Sequence, residues 1–374
     1  MKKLSIYLPT LASGGAEKLH VTLAPAFIEA GYDLTFVLNR ITGVYVDQLP
    51  KGVKLYELGA DRITSCFWPM VNYLKHEKPD ILLSNLGHNN ILAIAAGLYA
   101  RTSTKIIASH HGVLSIECKT TDKWQYKVLP FLSRRLLRYA AANVTVSSGA
   151  ADDLAEFTGL NRNSIRVIYN PVNLENFEQR SNEPIEHEWL TNKAFPVLIS
   201  VGRLSEHKNF SLLLSAFKIV LESMKARLII LGEGQLLNDL QNQAISLNIS
   251  EYVNFVGFKP NPLPYMKNSD VMVLSSIFEG FGNVLIEALA CGTPIVSTDC
   301  PYGPSEILDN GKYGTLVALN DPEEMADAII KTLKTPQPKD VLIKRGREFS
   351  VTQTVNKYLD LFAELFQTTC NKPD

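Results

Sequence analysis

Residues 275–294 read SSIFEGFGNVLIEALACGTP. The run follows an apolar strand candidate, passes through a loop broken by glycines, and becomes a helix that stops at Gly292. Two carboxylates carry the charge of this apolar stretch: Glu279 lies in the loop and Glu287 in the first turns of the helix. The pattern predicts a strand–loop–helix corner of an α/β fold.

Such a corner has a known use in open parallel sheets. Ligands bind where the carboxyl ends of the strands give way to helices, so we expect Glu279 and Glu287 to face one crevice. Asn283 is predicted to cap the helix. The alternative is a buried helix whose acids only favour the positive end of its dipole.

Length and composition set the broad class. A chain of 374 residues is expected to form two domains, and 46% hydrophobic with 20% charged residues is typical of a soluble globular protein. The N-terminus has only a short apolar run, broken by Pro9, and no run approaches the roughly 18 residues of a membrane span. Five cysteines without paired spacing predict reduced, cytoplasmic thiols.

The charge is distributed unevenly along the chain. Residues 1–170 hold 19 Lys and Arg against 13 Asp and Glu, whereas residues 171–374 hold 18 against 25. The basic first half is a modest indication of an anionic partner on that side, although chance variation produces similar imbalances.

Strand candidates alternate with helical patterns in both halves, which predicts two doubly wound parallel sheets. Helix one is predicted over 15–29, ending before Gly31. The polar segment 173–193 is predicted to be the linker. The strand candidates are 4–8, 34–38, 53–58, 81–84, 106–109, 144–147 and 166–169, then 197–201, 228–231, 253–256, 271–274 and 295–297.

Two glycines follow the first strand candidate. Gly14 and Gly15 at a strand-to-helix corner let backbone N–H groups approach a phosphate, and a helix N-terminus favours negative charge. Neither a dinucleotide fingerprint nor a P-loop is present. The alternative is a simple turn.

His110 and His111 end the fifth strand candidate. A histidine at that edge could hydrogen-bond a sugar hydroxyl or a developing charge. Adjacent residues of an extended segment point to opposite faces, so we expect only one of the two to face the site. The alternative is a histidine bonded to loop carbonyls.

Residues 119–142 form the most basic amphipathic stretch. In a helix its cations would share a sector of roughly 60°, a face suited to anionic lipid or a lipid-linked diphosphate. Pro130 would kink or split the helix, and the alternative is a solvated surface helix. The four cations are Lys123, Lys127, Arg134 and Arg138.

The loop after the first strand of the second half carries Arg203 and Lys208. Two cations at a strand end, beside the loop of Glu279, would make a compact diphosphate site. Backbone at the next two strand ends, at Gly232 and Phe258, could bind the edge of a nucleobase.

With these elements the chain resembles the GT-B retaining glycosyltransferases of family 4, whose motifs it keeps in order over nearly its whole length. The span from Glu279 to Glu287 is similar to the E-x7-E motif of that family. The other matching elements are Gly14-Gly15-Ala16-Glu17, Asn170-Pro171-Val172, Gly202-Arg203-Leu204 with Lys208, Leu231-Gly232-Glu233-Gly234 and Phe255-Val256-Gly257. The segment 299–308 is similar to members that build lipid-linked oligosaccharide, capsule or lipopolysaccharide.

The resemblance implies the fold and the domain limits. Two Rossmann-like domains would face each other across a cleft: an acceptor-binding domain over 1–172 and a nucleotide-sugar-binding domain over 194–348. The last segment, 349–374, would form a helix that crosses back to the first domain.

The resemblance also implies roles. Glu287 would bind the ribose, Glu279 the donor sugar, and Arg203 and Lys208 the diphosphate, with Gly15 approaching from the opposite domain. The implied catalytic residues are Glu279, His111, Arg203 and Lys208. The implied donor-binding residues are Gly14, Gly15, Arg203, Lys208, Gly232, Phe258, Glu279, Gly280, Phe281, Gly282, Asn283, Val284 and Glu287.

The implied function is a retaining, metal-independent transfer of a hexose or N-acetylhexosamine from a UDP-linked sugar to a lipid-linked or cell-surface glycan. The implied partners are the nucleotide sugar, the lipid-linked acceptor and the anionic inner face of the cytoplasmic membrane, with no nucleic acid, cofactor or metal. Rival hypotheses are a nucleotide-sugar epimerase or phosphorylase on this fold and a non-catalytic binding subunit. Glu279 as a covalent nucleophile is a further alternative.

Overall fold

The computed structural model describes residues 1–12, 14–119 and 124–370. The chain forms two compact units, one made of Met1–Pro171 with the chain from Val351 onward, the other of Val172–Ser350. Within the described residues each unit is built on one parallel sheet. This bears out the fold class expected from the alternation of strands and helices.

The first unit, as far as it is described, has a seven-stranded sheet in the order β3-β2-β1-β4-β5-β6-β7. Its strands are β1 (Lys2–Leu8), β2 (Tyr32–Leu38), β3 (Lys54–Glu57), β4 (Ile81–Asn85), β5 (Lys105–His110), β6 (Ala142–Thr145) and β7 (Ile165–Val167). Its first helices are α1 (Gly15–Glu29), α2 (Phe67–Glu77), α3 (Gly87–Ala100), α4 (Leu114–Lys119), α5 (Trp124–Leu136) and α6 (Ser148–Thr158).

The described second unit has six strands in the order β10-β9-β8-β11-β12-β13. They are β8 (Val197–Val201), β9 (Arg227–Leu231), β10 (Val253–Gly257), β11 (Val271–Leu274), β12 (Ile295–Thr298) and β13 (Thr315–Val317). The helices are α7 (Phe177–Ser181), α8 (Glu188–Thr191), α9 (Phe210–Ser223), α10 (Leu237–Ser246), α11 (Leu263–Lys267), α12 (Asn283–Cys291), α13 (Pro304–Ile307), α14 (Pro322–Lys334) and α15 (Lys339–Arg347).

The strands are near-continuous apolar runs because helices cover both faces of each sheet. All five residues of β4 are buried, as are all four of β11. In each unit the strand order reverses beside the first strand, between β1 and β4 and between β8 and β11. Ligands of doubly wound sheets bind at such a reversal, outside the carboxyl ends of the strands.

The last helix, α16 (Val351–Cys370), belongs to the first unit and packs beside α1. The ring of Phe27 lies 6.0 Å from that of Tyr358 and 5.9 Å from that of Phe362. Thr354 Oγ1 donates to the carbonyl of Tyr169 at 2.9 Å, and Arg166 pairs with Glu364. No helix in the described part of the chain has the length and apolarity to cross a bilayer.

The structure adds to the sequence expectations for three segments. The segment 173–193, predicted as a linker, carries α7 and α8 and belongs to the second unit. The edge strand β13 was not predicted, because its three residues give too short a pattern. Pro130 lies inside α5, which continues as a 3₁₀ turn at Leu137–Tyr139, whereas Lys123 lies outside the described residues.

Phe362→Ala tests the attachment of α16. Phe362 is fully buried against Phe27 and Tyr32, so its truncation is expected to lower the free energy of unfolding of the first unit by about 3–5 kcal/mol. Differential scanning calorimetry measures this as a shift of the corresponding transition. Asp360→Ala, at an exposed position of the same helix, is the control; equal transitions in the two variants would contradict the packing.

Candidate functional site

The reversal of strand order in the second unit holds a buried ion pair. Lys208 follows β8 and Glu279 follows β11, and Lys208 Nζ lies 2.5 Å from Glu279 Oε1. The side chains are only 17% and 10% exposed. Ser276 Oγ donates to the same carboxylate oxygen at 2.6 Å. The two residues that the sequence placed at neighbouring strand ends are therefore in direct contact.

Hydrogen bonds to backbone carbonyls join the loops that carry this pair. Ser275 Oγ donates to the carbonyl of Lys208 at 2.9 Å, and the amide of Ile277 donates to the carbonyl of His207 at 2.8 Å. The His207 ring stacks on Phe278 at 5.2 Å. Burial is the main cause that lowers the pKa of His207; Lys208 lowers it further, while Glu279 opposes the shift.

The loop of Glu279 leads directly into α12. Gly282, with φ of 100°, occupies the N-cap, so the prediction that Asn283 caps this helix is wrong: Asn283 is its first helical residue and is exposed. A left-handed cap suits glycine because a side chain would be strained there. Glu287 lies one turn further on and is half-buried. The helix N-terminus, which favours anions, thus lies next in sequence to Glu279.

The adjoining strand ends form an edge rich in backbone groups. The amide of Gly202 donates to Leu231 at 3.0 Å, and that of Gly232 donates to Gly257 at 2.9 Å. Beyond them Arg203 is exposed, and Phe258 is 61% exposed. An exposed ring beside a cationic loop suits a planar base carrying phosphates.

The first unit has its own cluster at the same type of reversal. Gly14 caps α1 without a side-chain bond, and among described atoms none lies within 4 Å of where a Cβ on Gly15 would stand. His20 on α1 meets His111, just beyond β5, edge to face, with ring centroids 5.5 Å apart. The structure thus brings His111 to the helix that the glycines begin, while His110 is buried as the last residue of β5.

Hydrogen bonds fix the tautomer of His111. The amide nitrogen of Asn85 donates to the carbonyls of Tyr7 and Leu83, both at 3.2 Å, which turns Asn85 Oδ1 toward His111. That oxygen can only accept and lies 2.9 Å from His111 Nε2, closer than Ser109 Oγ at 3.2 Å, so Nε2 carries the proton. The other nitrogen, Nδ1, is buried without a hydrogen-bond partner and offers a lone pair.

The histidines of this cluster are held neutral. Burial is the main cause that lowers the pKa of His111 well below its usual value, and His20 and His110 add to the effect. Burial also lowers the pKa values of His20 and His110, each to about 4. His111 is therefore neutral near neutral pH and can accept a hydrogen bond at Nδ1.

The predicted basic face is partly engaged within the first unit. Arg134 Nε donates to the carbonyl of Phe157 at 2.9 Å, near the end of α6, and Arg138 Nη2 donates to the carbonyl of Arg134 at 2.9 Å. Lys127 is exposed. Phe131 on the same helix is 59% exposed, with the Arg135 guanidinium over its ring. Arg134 therefore stabilises the end of α6 and is not simply a solvated cation of the predicted basic face.

Sequence reasoning missed four residues of these clusters: Ser276, His20, Asn85 and Ser275. Ser276 lies three residues before the E-x7-E span and could have been included on its position alone. Asn85 ends a buried strand, where a polar side chain is a weak signal. His20 gave no signal, because its role depends on a contact between α1 and β5.

Two family descriptions match the chain. Residues 181–349 match "Glycosyl transferases group 1", and residues 13–176 match "Glycosyltransferase Family 4". Together they span both units.

Among curated relatives, an N-acetylgalactosaminyltransferase of Campylobacter jejuni is 30% identical over 94% of this chain and 95% of its own. Its name gives its acceptor as N-acetylgalactosamine-N,N'-diacetylbacillosaminyl-diphospho-undecaprenol. The lipopolysaccharide core glycosyltransferase LpsE of Rhizobium meliloti is 28% identical over 94% of this chain and 96% of its own.

Among solved structures, Anabaena HepE in complex with UDP has a TM-score of 0.78 at 20% identity, covering 97% of this chain and 100% of that one. At this identity the likeness shows the fold, GT-B.

Asn85→Asp tests the tautomer assignment. A carboxylate facing Nε2–H is expected to raise the pKa of His111, so the ring would gain its second proton at a higher pH than in the wild type. Histidine ¹⁵N NMR over a pH series measures this without an activity assay. Asn72→Asp, an exposed position on α2, controls for the added charge; an unchanged His111 titration in Asn85→Asp would show that the contact is absent.

Proposed function

The chain belongs to the group 1 glycosyltransferases of family 4, and on that basis we propose that it moves a hexose or N-acetylhexosamine from a UDP-linked sugar to a lipid-linked or cell-surface glycan, with retention of configuration. The observation that carries the proposal is the Lys208–Glu279 pair at the reversal of strand order, beside the start of α12. The names of the C. jejuni and R. meliloti relatives support a lipid-linked or lipopolysaccharide acceptor.

The second unit would bind the donor. Departure of the sugar leaves negative charge on the diphosphate, and preorganised positive groups stabilise that charge. Lys208, Arg203 and the N-terminus of α12 are such groups. Gly232 and Phe258 would bind the base and Glu287 the ribose, while Gly280, Phe281 and Val284 belong to the same loop and helix start. We expect no metal to be required, because these groups would neutralise the diphosphate.

Glu279 would hold the donor sugar rather than attack it. One of its oxygens already accepts from both Lys208 and Ser276, and its side chain is buried. A nucleophilic carboxylate of a retaining glycosidase acts with a second acid about 5 Å away, and we assign no such partner. Retention would then follow from attack on the face that the phosphate leaves.

The first unit would bind the acceptor and contribute His111. With its proton on Nε2, neutral His111 presents the buried Nδ1 lone pair as an acceptor for a sugar hydroxyl. Gly15 leaves room at the N-terminus of α1 for an anionic group, whereas the Glu17 carboxylate occupies the space beside Gly14.

We expect peripheral contact with the anionic inner face of the cytoplasmic membrane. Lys127, Arg135, Arg138 and the exposed ring of Phe131 combine basic and aromatic groups on α5 and the turn after it. Such combinations suit the headgroup region of anionic bilayers. An acceptor attached to a lipid carrier would reach the enzyme at the membrane surface.

A transfer assay with Lys208→Met tests the proposal. Purified protein is given UDP-N-acetylhexosamines or UDP-hexoses with a short polyprenyl-diphosphate-linked sugar, in the presence of EDTA. We expect acceptor-dependent release of UDP by the wild type and a loss of about 10²- to 10³-fold in kcat in the variant, because a preorganised cation is removed. Lys218→Met, on the surface of α9, should match the wild type.

Three outcomes would contradict the proposed reaction. Conversion of the UDP-sugar to an epimer without an acceptor would indicate an epimerase, and release of UDP only with inorganic phosphate would indicate a phosphorylase. Tight UDP binding without turnover over the acceptor panel would favour a binding subunit. Separately, wild-type turnover by Lys208→Met would refute the assignment of the site, and inhibition by EDTA would refute metal independence.

A further inference from the structure

Arg345, on α15, reaches the carbonyl end of α13. Its Nε donates to the carbonyl of Ile307 at 2.9 Å, and its Nη2 donates to the carbonyl of Glu306 at 2.7 Å. The side chain is only 17% exposed, and Nη1 pairs with Glu348 at 2.5 Å. A planar guanidinium can bind two carbonyls side by side, an arrangement that a lysine cannot reproduce.

The same guanidinium lies against two aromatic rings. Its Cζ is 4.8 Å from the centre of Phe349 and 5.3 Å from that of Tyr313. The Phe349 ring in turn meets Phe281 edge to face at 5.8 Å. Phe281, 2% exposed, follows Glu279 by two residues. Arg345 is thus linked to the donor loop through one intermediate ring.

A second route runs through the start of α13. Gly303, its N-cap, has φ of 104°, and a Cβ there would lie 2.0 Å from the carbonyl oxygen of Phe281. The two backbones are therefore in contact. One step earlier, the amide of Glu279 donates to Pro301 at 2.8 Å and that of Tyr302 donates to Glu279 at 3.0 Å. The 279–282 loop rests on the segment that leads into α13.

The helix that carries Arg345 is itself fixed to α12. A Cβ on Gly346 would lie 2.5 Å from the backbone nitrogen of Ala290, so α15 and α12 meet backbone to backbone. The contacts form a closed circuit from α12 through α15, Arg345 and α13 to the 279–282 loop, which returns to α12. The circuit fixes the 279–282 loop relative to the helix that carries Glu287.

We propose that Arg345 is a positioning residue for the donor site: it holds the 279–282 loop in place relative to Glu287 without touching the substrate. The inference rests on the proposed function for its kinetic consequence, whereas the bracing itself is a property of the second unit. Nothing in the sequence motif predicts it, because Arg345 lies 58 residues beyond Glu287.

The bracing is measured directly by hydrogen–deuterium exchange on the full chain. In Arg345→Met, which keeps a long apolar side chain, amides of 279–282 and 302–309 should exchange about tenfold faster than in the wild type, as expected for the loss of charge-assisted hydrogen bonds. Arg345→Lys should not rescue them. Arg347→Met, exposed on the same helix, is the matched control, and strands β8 and β9 report on general destabilisation.

The kinetic readout separates donor from acceptor. We expect a rise of about 10- to 100-fold in the donor KM of Arg345→Met, because the donor contacts are misplaced, with the acceptor KM within about twofold of wild type. A merely destabilised enzyme would lose active fraction, which lowers kcat and leaves both KM values unchanged.

Unchanged exchange in 279–282 in folded Arg345→Met would overturn the inference, whatever the enzyme transfers. If Arg345→Met fails to fold, Arg345→Lys takes its place, and exchange at 279–282 equal to wild type in that variant would overturn the inference. A wild type that turns over no nucleotide sugar would instead contradict the proposed function, while faster exchange in Arg345→Met would still support the bracing.

Discussion

The second unit depends on one interaction, the ion pair of Lys208 and Glu279. Two charges with side chains at most 17% exposed would be costly to bury singly, and removing one partner of such a pair leaves the other uncompensated. The pair lies at the reversal of strand order between β8 and β11, so the topology of the sheet places the two charges at the same edge. Ser276 and the backbone bonds between the two loops complete the arrangement.

Glu279 is paired with Lys208, the cation that would bind the diphosphate in the proposed function. Donor binding would therefore exchange one anion for another at Lys208, and would free the carboxylate for a sugar hydroxyl. In this proposal the Glu279 carboxylate would hold Lys208 in place until the diphosphate replaces it. The first unit avoids the cost of burying a charge in another way: its buried histidines are neutral, because burial lowers their pKa values.

Much of this could be predicted from the sequence, because it depends on local pattern. The bounds of α1, the apolar strands and the charged strand ends at Lys208 and Glu279 follow from periodicity and from the edge rule for parallel sheets. What could not be predicted depends on contacts between distant elements. Asn85, on another strand, determines the tautomer of His111, and Arg345, on another helix, braces the 279–282 loop. Gly282 rather than Asn283 occupies the N-cap of α12, because its left-handed backbone conformation suits glycine.

The most direct test of the central claim is the affinity of Glu279→Gln for free UDP, measured by isothermal titration calorimetry. If Glu279 competes for the cation that binds the diphosphate, removal of its charge should tighten UDP binding by about tenfold, the order expected of one charge-assisted contact. Transfer to the acceptor should slow at the same time. Weaker or unchanged UDP binding in a folded Glu279→Gln variant would contradict the account, because Lys208 would then not be the cation that the diphosphate meets.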